Sequence, residues 1–110
     1  IIKVMYKLIV FISGEGTNLQ YIIDSIKNNK LKNCKIVSVI SNRKNANGLN
    51  RAKKENIPTH YFPYLKNKTS RENYDETLSE FVKTIDHDLI VLAGWMHVFS
   101  NIFIRKFPNI

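Results

Sequence analysis

Short apolar runs alternate with helix-length amphipathic stretches along this chain in the order β, α, β, α, β, α, β, a pattern that belongs to a parallel sheet covered by helices. The first strand spans about Lys7 to Ile12. The helix after it, about Asn18 to Asn28, carries Leu19, Ile22, Ile23 and Ile26 at spacings of three and four on one face. A second strand runs over about Lys35 to Ser41, just after Cys34. That residue is the only cysteine, so an intrachain disulfide and a cysteine-based zinc cluster are both excluded, and a strand-start position suits a packing role. A short basic helix, about Asn47 to Glu55, leads through Ile57 and Pro58 to a third strand at Thr59 to Phe62. Ser70 is placed to cap a helix from about Arg71 to Ile85, with Tyr74, Leu78, Phe81, Val82 and Ile85 as its stripe. The fourth strand, Leu89 to Ala93, is apolar on both faces, which predicts a central position in the sheet. A short amphipathic segment, Ser100 to Lys106, follows.

The turn between the first strand and the first helix reads Ser13, Gly14, Glu15, Gly16, Thr17, Asn18, Leu19, and it has the makings of an anion cradle. Glycines let the backbone turn sharply, and the first amides of the helix lack internal partners and point outward at the positive end of the helix dipole. A phosphate satisfies them directly. The third glycine of the dinucleotide fingerprint is replaced here by Leu19, and the Gly-Lys-Ser/Thr ending of a P-loop is missing. Nor does an acidic residue end the second strand, which closes on Ser41, Asn42, Arg43. Arg43 suits a 2′-phosphate, so an NADP-dependent oxidoreductase is the alternative enzyme, but a single phosphate on a small molecule fits the turn better.

The sequence holds 110 residues, 44% of them hydrophobic, and suggests one domain over 1–110 with a real core. Apolar runs such as Leu89 to Gly94 are too short to cross a bilayer, and a soluble, cytoplasmic protein is expected. The net charge of +8 suits anionic ligands or nucleic acid. Its lysines, among them Lys27, Lys30, Lys32, Lys35, Lys53, Lys54, Lys66 and Lys68, are spread along the chain without an arginine-rich arm. A non-catalytic nucleic-acid-binding module is therefore the weaker alternative. The chain begins at Ile1 without methionine and stops at Ile110 as another extended run begins, so it reads as a fragment.

Four segments together resemble the phosphoribosylglycinamide formyltransferases, or glycinamide ribonucleotide transformylases. They are Val10 to Gln20 around the first turn; Ser38 to Asn42 with Gly48 and Leu49; Ser70, Arg71, Glu72, Asn73, Tyr74, Asp75; and Leu92 to Met96 onward to Pro108, Asn109, Ile110. In order and spacing they cover nearly the whole chain, and the first-turn motif separates this branch from transfer-RNA formyltransferases and formyltetrahydrofolate deformylases. The resemblance implies a Rossmann-like, doubly wound, mainly parallel α/β sheet of the formyltransferase fold. This chain would form its N-terminal part, truncated at the far edge and completed by the rest of the formyltransferase chain.

The same resemblance implies transfer of a formyl group, without a metal, from 10-formyltetrahydrofolate to the amine of glycinamide ribonucleotide in purine synthesis. Gly16, Thr17 and Asn18 would be the phosphate ligands. The folate half would fall on Arg71, which suits a glutamate tail, and on Met96, His97, Val98 and Phe99. Many members carry arginine at the position of His97, so the contacts implied there are those of the backbone. Asn109 would be catalytic and touch the folate as well, its amide donating to the oxygen that gains charge in the tetrahedral intermediate. The histidine and aspartate that act with it in the family lie beyond Ile110, and His60, His87 and His97 do not match that histidine. By itself the chain is expected not to turn over.

Overall fold

The computed structural model describes residues 5–108 and Ile110. Its elements are β1 (Tyr6–Ile12), α1 (Thr17–Lys27), β2 (Cys34–Ser41), α2 (Asn47–Lys54), β3 (Thr59–Tyr61), α3 (Arg71–Lys83), β4 (Leu89–Leu92) and α4 (Asn101–Lys106). The strands form one sheet in the order β3-β2-β1-β4, and every pairing is parallel.

Period-two alternation in β1 divides the core. Val10 and Ile12 face α1 and α2, meeting Leu19, Ile23, Leu49 and Ala52. Ile9 and Phe11 face the other way, onto Tyr74, Leu78 and Val82 of α3 and Phe103 of α4. Helices thus cover both faces, as a doubly wound sheet requires. The register of β2 against β1 slips between Leu8 and Ile9: Leu8 pairs with Ile36 and Ile9 with Ser38, which leaves Val37 as the extra residue. That bulge is why Ile36 and Val39, three apart, reach the same core.

Helix ends follow from local chemistry. Ser70 Oγ accepts from Asn73 N–H at 3.1 Å, fixing the start of α3. The helix stops at Lys83, two residues before the predicted end, where Thr84 donates its hydroxyl to the Phe81 carbonyl, although Ile85 still packs on the second core. α4 docks on α3 through Phe103 and through Lys106, whose ammonium donates to Glu76 Oε1 at 2.8 Å and Ser79 Oγ at 3.1 Å.

Within the described residues the fourth strand, expected to be central, lies at an edge of the sheet. β4 pairs with β1 alone among the described residues, and its Leu89 and Leu92 are 39% and 43% exposed. A strand apolar on both faces needs helices over both faces, which β4 has: Ile90 packs on the second core and Val91 against the first. Strand neighbours on both edges are a separate requirement, and apolar patterning does not report it.

Candidate functional site

Strand order reverses at β1, with β2 on one side and β4 on the other, and a crevice opens beyond the carboxyl ends of β1 and β4. A cleft of about 260 Å³ lies there, lined by residues 13–18 of the first turn, by Arg43, and by Ala93, Gly94 and Met96 after β4. Gly16 caps α1 in the left-handed conformation, φ 81°, and among the described residues no side chain caps the first amides of the helix. Thr17 and Asn18 are exposed and line the cleft with Gly16, which leaves the first amides of α1 available as donors at its edge.

Contact between two glycines sets the turn in place. A Cβ on Gly16 would lie 2.5 Å from the Gly48 Cα, and Gly48 N–H donates to the Gly14 carbonyl at 3.1 Å. Glu15 is held from α2: Asn47 Nδ2 donates to its Oε1 at 2.8 Å, and Arg51 donates to the same oxygen at 2.9 Å and to the Glu15 carbonyl at 2.8 Å. The Asn47 and Arg51 hydrogen bonds hold the Glu15 carboxyl below its ordinary pKa, so near neutral pH it is an anchored anion at the rim.

Ser13 joins the two sides of the crevice. Its hydroxyl donates to Asn42 Oδ1 at 2.7 Å, at the end of β2, and accepts from Met96 N–H at 2.8 Å, past the end of β4. Beyond this bond the chain exposes Met96 and Val98, 72% and 75% accessible, while His97 and Phe99 turn inward. Phe99 stacks on Phe103 with ring centroids 3.9 Å apart, and Trp95 stacks on Phe99 at 5.9 Å. His97 Nε2–H donates to Asp75 Oδ1 at 2.7 Å, and Ser100 N–H donates to Asp75 Oδ2 at 2.5 Å. Arg71 stands one turn before Asp75 at the start of α3, on the same side of that helix.

Of the residues singled out from sequence, Gly16, Thr17, Asn18 and Met96 line one cleft. His97, Val98, Phe99 and Arg71 do not line it. Val98 stands exposed on the same segment as Met96, whereas the His97 and Phe99 rings are packed inside. Asn109 lies outside the described residues. His60 packs edge-on against Phe81 at 4.8 Å, and burial lowers its pKa. His87 donates through Nδ1 to the Ile85 carbonyl at 2.7 Å. Sequence reasoning gave Ser13 and Asp75 no role. For Asp75 a signal existed: it precedes Leu78 by three and Val82 by seven, a carboxylate on a buried stripe that needs partners. Beside it, burial and then the Asp75 charge push the Tyr74 hydroxyl pKa up, and that hydroxyl donates to the Phe62 carbonyl at 2.6 Å.

Among the described residues no three His, Cys, Asp or Glu side chains group to hold a metal ion, and no helix is long and apolar enough to cross a membrane. Known proteins are similar to this chain in sequence and fold. The phosphoribosylglycinamide formyltransferase of Schizosaccharomyces pombe is 46% identical over 100 residues, covering 84% of this chain and 48% of the relative. That of Dictyostelium discoideum is 43% identical over 111 residues, covering 94% and 53%. The solved structure of the Coxiella burnetii phosphoribosylglycinamide formyltransferase superposes with a TM-score of 0.83 at 42% identity, covering 92% of this chain and 46% of that one. The chain spans about half the length of these relatives. The sequence pattern of the formyl transferase family matches residues 6–110, the whole of the sheet and the turn at its switch point included. The chain belongs to the formyl transferase family.

Proposed function

We propose that this chain supplies the phosphate cradle and part of the folate wall of a phosphoribosylglycinamide formyltransferase. In this reading the ribonucleotide phosphate sits on the amides of Gly16, Thr17 and Asn18 at the start of α1. The pteridine of 10-formyltetrahydrofolate lies along residues 96–99, and Arg71 meets the glutamate tail. The amine of glycinamide ribonucleotide attacks the formyl carbon. A C–N bond forms to that amine, the bond to folate N10 breaks, and the proton the amine loses is balanced by the one N10 gains. Asn109 donates its amide to the oxygen that carries charge between the two steps. The turnover site is completed by residues outside this chain, as the length of the relatives suggests.

The observation that carries this reading is the cleft lined both by the uncapped start of α1 and by Ala93, Gly94 and Met96 after β4. Two substrates must meet for formyl transfer, and at the sheet's switch point Met96, the first residue of the candidate folate surface, lines the same crevice as Gly16, Thr17 and Asn18.

Thr17→Asp tests it. A carboxylate in the first turn of α1 favours the helix by about 0.3–1 kcal/mol, so the melting temperature should hold or rise. The same charge opposes a phosphate, so calorimetric affinity for glycinamide ribonucleotide should fall by about tenfold or more. Unchanged affinity would remove the phosphate from this turn. Saturable NADPH binding that folate does not displace would instead favour the oxidoreductase reading of Arg43.

A further inference from the structure

The segment after β4 is fastened at both ends. At its start Met96 N–H donates to Ser13 Oγ, and at its end Ser100 N–H donates to Asp75 Oδ2. Between these points His97 turns its ring inward and donates to the other oxygen of the same carboxylate. Both groups are withdrawn from water: Asp75 is fully buried and the His97 side chain is 5% exposed. A buried carboxylate is tolerated only where its lone pairs are taken, and here two donors from one segment take one oxygen each. The imidazole is walled by Tyr64, Tyr74, Trp95 and Phe99, with ring centroids 5.0 to 6.0 Å away. What remains on the outside is Met96 and Val98 with the backbone between them.

We infer that Asp75 is a positioning residue for the formyl donor: through the His97 ring and the Ser100 amide it holds residues 96–100 as an arch whose outer face receives the flat ring of the folate. The inference rests on the folate assignment made above for this segment. His97 is a strut within the arch, and its ring makes no contact with the donor. The contacts come from the backbone and from Met96 and Val98. A carboxylate is required because two diverging N–H groups need two acceptor oxygens at a fixed separation, and an amide offers only one.

The test uses the protein at its full natural length and measures both KM values. Asp75→Asn keeps the shape of the side chain but leaves one donor facing an NH₂ group. The KM for 10-formyltetrahydrofolate should rise about tenfold, and that for glycinamide ribonucleotide should stay within about twofold. His97→Ala should show the same split. His97→Gln, which can donate an amide N–H to the same carboxylate, should recover most of the loss. Trp95, the only tryptophan, lies 6.0 Å from the His97 ring, and its emission should shift in Asp75→Asn and His97→Ala but not in His97→Gln. His97→Ala leaves Asp75 and its bond to Ser100 in place, so the comparison survives even if Asp75→Asn does not fold. Equal rises in both KM values, or an unchanged folate KM in the folded variants, would overturn the positioning role. A wild-type protein that neither binds nor consumes a folate would overturn it together with the folate assignment, and that outcome is visible before any variant is made.

Discussion

At the scale of single residues, the left-handed glycines separate two costs that usually come together. Gly16 and Gly94 have nearly the same positive φ, 81° and 79°. A Cβ on Gly94 meets nothing within 4 Å, whereas one on Gly16 runs into the Gly48 backbone. Gly94→Ala should therefore cost only the left-handed penalty of about 1–2 kcal/mol. Gly16→Ala should cost that plus the displacement of α2, about 1–3 kcal/mol more. Urea unfolding of the two variants measures the difference. The turn from Ser13 to Leu19 and the start of α1 beside it were legible in the sequence because their glycines and the apolar stripe that follows lie within a short stretch of chain. The bond between Asp75 and His97 was not, because it joins residues 22 apart and depends on α3 lying beneath the segment after β4. Read singly, His97 resembled a candidate ligand, and only the fold reveals that its ring is turned inward.

Among the elements, β3 is the one described strand that carries a histidine. His60 sits against Phe81, and burial lowers its pKa below the ordinary 6.5. The unfolded chain therefore takes up a proton before the folded one does. Stability is complete above about pH 6.5 and falls as the pH drops below that value through the folded-state pKa. His60→Phe keeps a ring against Phe81 and should flatten this part of the profile, which thermal melts between about pH 5 and 8 would register. Element identities were legible because each strand and helix carries its own period. Leu19 and Ile23 on α1, or Leu78 and Val82 on α3, are buried as their spacing requires. Lateral order was not legible, since nothing in Leu89 to Ala93 records that β1 lies on one side of β4 and that no strand follows on the other among the described residues.

For the whole molecule, two opposing terms follow from the sheet edge and the charge. β4 offers an unpaired edge among the described residues with Leu89 and Leu92 partly exposed, a surface that favours association. The net charge of +8 opposes it. The 110-residue chain by itself should sediment with a mass that rises with protein concentration, and more steeply at high salt, where the repulsion is screened. Leu92→Lys should suppress that rise. At the opposite side of the cleft the Gly16–Gly48 contact limits change differently. If Gly48 gained a Cβ it would strike the Ile12 side chain and press on Gly16, and Gly16 is barred by Gly48 in turn. Gly48 thus blocks a side chain at Gly16 with backbone, whereas a Cβ at Gly48 meets the terminal methyl of Ile12 most closely. A lineage that carries this chain can vary the exposed basic face of α2 one substitution at a time. It cannot place a side chain at Gly16 without also shifting α2, so the turn and that helix change together or not at all.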